Sequence, residues 1–197
     1  MKVKTLLSLS VLSISLSTLS FPTFANTPKA VDKIDINQYV GKWYEIAHLP
    51  MYFQRQCVSD TSAKYAIKAD NTISVLNSCR TASGEMKSSE GVAYPQNQGK
   101  SQLKVSFLPK GLRWLPFTKG DYWVLRVDPD YKVALVGGPS TKYLWILSKT
   151  PTIDEATYQS YLQTAKQQGY DLSNLIKNGR IKKTAGFTDQ VSGEPSG

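Results

Sequence analysis

Between residues 42 and 149 the chain is a succession of short runs in which apolar and polar residues alternate, separated by turn-forming residues. Alternation with a period of two is what a strand with one face toward an interior requires. It is clearest where Leu103, Val105 and Phe107 interleave with Lys104 and Ser106, and where Ala63, Tyr65 and Ile67 interleave with Lys64 and Lys68. Asp, Asn and Pro at 69–72 ("ADNT") and 128–131 ("DPDY") supply the turns, since their side chains bond the local backbone or preset φ. The pattern predicts strands near 42–49, 59–68, 72–80, 85–94, 101–108, 121–128, 132–138 and 142–149. Eight antiparallel strands joined mostly by short hairpins define an all-β architecture, a barrel or a sandwich.

Helical spacing enters only after the last strand. Tyr158, Tyr161, Leu162 and Ala165 recur at i, i+3, i+4 and i+7. They form one apolar stripe, which is expected to lie against the outside of the sheet. Thr152 and Glu155 have the spacing of a capping box, and Gly169 is a suitable C-terminal stop. A shorter helical turn is expected before the first strand, capped by Asp35.

The ends read differently. Lys2 and Lys4 precede a serine-diluted apolar run and the small residues of "TFA", the pattern of a signal peptide spanning 1–25. Residues 26–30 read as a short linker, 31–180 as one domain, and 181–197, poor in apolar mass, as a disordered tail. Export implies the periplasm or the medium. No cysteine lies near the expected cleavage point, so no N-terminal lipid anchor is expected. The formal net charge is +9, of which Lys2 and Lys4 supply two. That favours anionic surfaces, or serves solubility alone. No nucleic-acid motif is present. Two cysteines, Cys57 and Cys79, point in an exported chain to a disulfide; a reactive thiol is the alternative.

Three short motifs carry a family resemblance. Gly41-x-Trp43-Tyr44 stands before the first strand, Asp130-Tyr131 lies in "DPDYKVALV", and "YLWILSKTP" occupies 143–151. In that order and spacing they resemble the lipocalin family over residues 31–177, in the style of the bacterial lipocalins and apolipoprotein D. The resemblance implies an eight-stranded antiparallel up-and-down β-barrel with a C-terminal α-helix packed on its outside. It implies a closed end built from Gly41 and Trp43. The third motif of the family normally supplies an arginine over that tryptophan; here the position is Lys149, which lacks the planar fork of arginine. Arg126 is a second candidate to support the closure.

A barrel of this size holds one small ligand. Strand parity places Tyr65, Val75, Leu103, Val105 and Phe107 inward from the first five strands. It places Tyr122, Val124, Leu135, Tyr143 and Trp145 inward from the others. The mouth, opposite Trp43, is expected to carry His48, Met51, Tyr52 and Phe53 from the first loop. The long 108–120 segment adds Trp114 and Phe117 beside Lys110, Arg113 and Lys119, as a lid or as a membrane contact.

The expected function is the binding and carriage or storage of a fatty acid or lysophospholipid, with a role in envelope lipid maintenance. The alternatives are a bulkier ring ligand, such as a porphyrin or isoprenoid, and a lipid-modifying enzyme. No catalytic residue, metal or cofactor is assigned: His48 is the one histidine, no G-x-S-x-G elbow is present, and the cysteines are expected to be bridged. Glu45 shares the parity of Trp43 and is expected to point inward.

Overall fold

The structure, a computed structural model, describes residues 27–183, and there the eight runs become eight strands. They are β1 (Gly41–His48), β2 (Cys57–Ile67), β3 (Ile73–Thr81), β4 (Met86–Pro95), β5 (Gln102–Ser106), β6 (Gly120–Val127), β7 (Val133–Gly137) and β8 (Trp145–Ser148). Each pairs antiparallel with the next, and β8 returns to β1 through Tyr44↔Ser148 and His48↔Trp145, so the sheet closes into a barrel. Closure removes the exposed edges that an open sheet of this length would carry.

Among the described residues two α-helices flank the barrel. The short α1 (Ile36–Tyr39) is capped by Asp35, whose carboxylate accepts from the Asn37 amide at 3.0 Å. The longer α2 (Glu155–Gln167) lies on the outer wall. Its cap is Asp154, not Thr152: the Asp154 carboxylate accepts from the Thr157 N–H at 2.8 Å. Thr152 is instead part of β9 (Thr152–Asp154), which pairs in parallel with β11 (Arg180–Lys182). A further short strand, β10 (Ile176–Lys177), adds to β1 through Ala47↔Lys177. Neither addition has the length that makes a strand visible in sequence. The expected domain end at 180 thus falls inside β11. The expected signal peptide and residues 184–197 of the expected tail lie outside the described residues. In the linker, Lys29 exchanges hydrogen bonds with the Gln168 side chain at the foot of α2.

The core has two layers on opposite sides of the barrel wall. The inner layer gathers Trp43, Tyr65, Val75, Leu103, Val124, Ala134 and Val136 with Tyr39 of α1. The outer layer gathers Ile46, Leu135, Ile146, Tyr158, Tyr161 and Ala165 between the wall and α2. The inward placement expected for Leu135 is therefore corrected. A register shift between Val124 and Arg126 displaces the phase across the β6–β7 hairpin by one residue, and such a bulge re-aims the side chains beyond it. Ala134 and Val136 take the inward positions.

The same shift turns Arg126 outward. Its guanidinium donates to the Ser160 carbonyl at 3.0 Å, the Ser160 hydroxyl at 2.9 Å and the Thr164 hydroxyl at 2.8 Å. It also lies 4.1 Å from the centre of the Tyr161 ring. Arg126 fastens α2 to the wall and takes no part in the closed end. Arg126→Met keeps the stem and removes these bonds. It is expected to lower stability by about 1.5–3 kcal/mol, read as a fall in the urea midpoint, with amide exchange rising first in α2.

Candidate functional site

The closed end is built around Trp43, which is 0% exposed. Its indole N–H donates to the Tyr39 carbonyl at 2.6 Å. Lys149 also approaches it, with Nζ 4.3 Å from the ring centre. It donates to the carbonyls of Tyr39 at 3.2 Å and Val40 at 2.6 Å. These carbonyls end α1, where the helix leaves acceptors unpaired. A lysine therefore performs both tasks expected of an arginine here, covering the indole and tying off the helix, with one ammonium. Partial burial holds that ammonium below the usual lysine range. Gly41 has φ 101°, and a Cβ there would sit 3.4 Å from Lys149 Nζ, so glycine serves both the backbone turn and the approach of the cation.

Above the plug lies the lumen. Tyr65, Val75, Leu103 and Val124 are buried in its wall, and Val105, Tyr122 and Trp145 pack against them while retaining partial exposure. Asn77 faces in, opposite Ala63, yet is exposed. These inward side chains therefore keep contact with solvent above the floor. Phe107 lies beyond the end of β5 and is 43% exposed; its ring occupies the space a side chain at Gly91 would need. Tyr39, which the strand pattern did not flag, completes the floor. Its hydroxyl lies 2.8 Å from that of Tyr122, which donates to Tyr65 at 3.0 Å.

The mouth is aromatic on one side. Tyr143 precedes β8 and does not belong to it. Its ring bridges Phe53 in the β1–β2 loop, at 5.6 Å, and Trp145 in the wall, at 6.2 Å. Tyr52 meets Phe53 edge-on at 5.3 Å. Met51, expected at the loop tip, is instead 4% exposed, folded under the loop. The 108–120 segment does not lay its aromatics on the barrel. Trp114 is 74% exposed and Phe117 fully so. The segment closes on itself: the Trp114 indole donates to Gly111 O at 2.9 Å, and Arg113 Nε donates to Leu108 O at 2.7 Å.

His48 is buried rather than at the rim, because it joins a polar cluster on β1. Its Nδ1 lies 2.7 Å from Leu49 O. A carbonyl only accepts, so Nδ1 carries the proton. Its Nε2 faces Glu45 at 3.6 Å. The Glu45 carboxylate also receives Gln54 Nε2 at 2.8 and 2.7 Å and Asn178 Nδ2. One buried acid thereby joins β1, the mouth loop and the segment after β10. Burial pushes the Glu45 carboxyl above its usual range, and His48, Gln54 and Asn178 pull it back. A raised folded pKa means that Glu45's contribution to stability is fully present below the unfolded value and declines as pH rises through the folded one. Wild-type stability, measured by urea unfolding from pH 4 upward, is expected to show this decline, and Glu45→Gln to flatten it.

Two open clefts lie outside the barrel, about 740 Å³ beside Lys42, Lys64 and Arg180, and about 550 Å³ between β7 and α2. Among the described residues no cluster of three or more His, Cys, Asp or Glu side chains is placed to hold a metal.

A closed antiparallel barrel with a buried tryptophan at one end, aromatic side chains at the other and a helix on its wall is the architecture of the lipocalin class. The profile of the lipocalin-like domain matches residues 34–180, and the chain belongs to the lipocalin family. It is 43% identical to temperature-induced lipocalin-1 of Arabidopsis thaliana over 152 residues, covering 76% of this chain and 81% of that one. It is 40% identical to the outer membrane lipoprotein Blc of Vibrio cholerae over 151 residues, covering 75% and 84%. It is 31% identical to apolipoprotein D of Bos taurus over 174 residues, covering 84% and 82%. Among solved structures, insecticyanin from the tobacco hornworm Manduca sexta shares the fold. The TM-score is 0.61 at 22% identity, covering 83% of this chain and 93% of that one.

Proposed function

We propose that the chain binds and carries a small hydrophobic ligand in its lumen, an acyl-chain lipid of the fatty acid or lysophospholipid kind. Family membership supports the general reading. The observation that carries it here is the unbroken aromatic path from Phe53 through Tyr143 to Trp145, which leads from the rim to the inner apolar layer. Such a path buries a long apolar molecule by contact, without demanding one shape. Native mass spectrometry of protein purified from its own host tests this. The expected result is a bound mass in the lipid range; a porphyrin or isoprenoid mass would replace the ligand class, and repeated recovery of empty protein would remove the reading.

Loading is proposed to occur at an anionic lipid surface. Trp114 and Phe117 stand exposed beside Lys110, Arg113 and Lys119, the composition of an interfacial contact. The Trp114→Ser/Phe117→Ser variant is expected to lose about tenfold or more in co-sedimentation with anionic vesicles, while retaining the wild-type unfolding midpoint. Undiminished binding would remove the surface from the proposal. Export, to the periplasm or the medium, is supported by the Cys57–Cys79 disulfide, which persists in oxidising compartments.

A further inference from the structure

The tyrosines on the lumen floor form a directed chain. Tyr122 donates to Tyr65, so its proton is spent there. In the remaining contact, between the hydroxyls of Tyr39 and Tyr122 at 2.8 Å, Tyr39 is therefore the donor. The chain ends on the Tyr65 hydroxyl, whose own proton meets no acceptor among the described residues. Tyr65 is 7% exposed, so bulk water does not readily supply one. Burial pushes the Tyr65 phenol up to about 12 and holds Tyr39 and Tyr122 well above the usual range. All three keep their protons at any physiological pH. Two donors in series polarise the third hydroxyl and strengthen it as a donor.

The charges around this donor decide what it accepts. On the inward face, Glu45 and His48 occupy β1, and Lys87, exposed at the rim opposite Cys79, reaches to Gln56. Lys149 is committed to the closed end and Arg126 to α2. Among the described residues no cation is found acting on Tyr65, whereas the Glu45 charge lies near enough to act on its phenol. An ionised carboxylate buried there would have no counter-charge and a like charge nearby, which is strongly unfavourable. A neutral carbonyl oxygen meets neither objection and satisfies the orphaned donor.

We propose that Tyr65 is a subsite for an uncharged carbonyl oxygen, of a ketone, aldehyde or ester, carried at the end of the ligand that enters the barrel first. An ionised head group stays at the rim with its tail inward. This selectivity rests on the lumen-binding reading above.

The test is displacement of the neutral fluorophore N-phenyl-1-naphthylamine by three chains of equal length: an alkane, its 2-ketone and its ionised carboxylate. In the wild type the ketone is expected to bind about three- to tenfold more tightly than the alkane. Tyr65→Phe is expected to abolish that advantage and leave the alkane and carboxylate unchanged. Tyr122→Phe breaks the same chain but keeps the Tyr65 hydroxyl, and is expected to retain a ketone preference. If the wild type treats ketone and alkane alike, or Tyr65→Phe weakens all three equally, the subsite is overturned. Failure of every chain to displace a bound fluorophore would instead overturn lumen binding itself. The wild-type ranking decides the matter even if a variant fails to fold.

Discussion

Trp43→Ala is expected to lower the unfolding free energy by about 3–5 kcal/mol, with urea unfolding as the measurement. The indole is fully buried and is in contact with the Tyr39 ring, 4.9 Å away, and the Lys149 ammonium, 4.3 Å away. Alanine would leave a hole bounded by the strands of a closed barrel, which cannot collapse into it without breaking the ladder. The lost hydrogen bond matters less. The Tyr39 carbonyl still receives Lys149, so no acceptor is orphaned, and Trp43→Phe is expected to cost only about 1–2 kcal/mol. For a domain of this size a loss of 3–5 kcal/mol corresponds to a fall in melting temperature of about 6–20 °C. The slope of the urea transition should be unchanged, since the loss lies in the native state. A Trp43→Ala protein that unfolds within about 1 kcal/mol of wild type yet no longer takes up the fluorophore would show that the residue contacts ligand and is no plug.

The closed end and the barrel were legible in the sequence because each rests on short-range information. Period-two alternation is local, and Trp43 and Lys149 each lie in a motif read in one piece. What stayed illegible depends on register or on distant partners. Strand parity points Leu135 the wrong way because a single extra residue in β6 inverts the phase of the hairpin, and no residue type announces that bulge. Thr152 and Asp154 are both good caps, and the choice between them was made by the pairing of Thr152–Asp154 with Arg180–Lys182, which is invisible locally. The Glu45 cluster draws Gln54 and Asn178 from 9 and 133 residues away; the parity of Glu45 with Trp43 indicated its direction but not its partners. Tyr39 carried one usable signal, its position four residues before Trp43 on a capped turn. That spacing brings its carbonyl to the indole and its hydroxyl to the lumen floor.

Replacing Cys57 and Cys79 together with serine is expected to cost about 3 kcal/mol, the chain-entropy value for a loop of this length. The bond joins residues 22 apart, with Cα atoms 5.4 Å from each other. Where it acts follows from the ladder around it. From Ser62 to Ile67, β2 pairs with β3 without interruption, but between Cys57 and Ser62 the register shifts twice, and Asp60 has φ 53°. The bridge therefore pins the mouth half of the hairpin, where backbone pairing is weakest. It also anchors the loop that brings Phe53 to Tyr143 and Gln54 to Glu45. In the native state, amide exchange in the double-serine variant should rise first at 57–61 and 79–81, and later, if at all, at 62–67. Fluorophore affinity should fall with it, because the aromatic side of the mouth loses its fixed edge. An unfolding midpoint that is the same with the bond oxidised and reduced would refute the stabilising role. Uniform loss of protection along β2, with affinity intact, would show that the bond acts only on the unfolded chain and leaves the mouth to its own contacts.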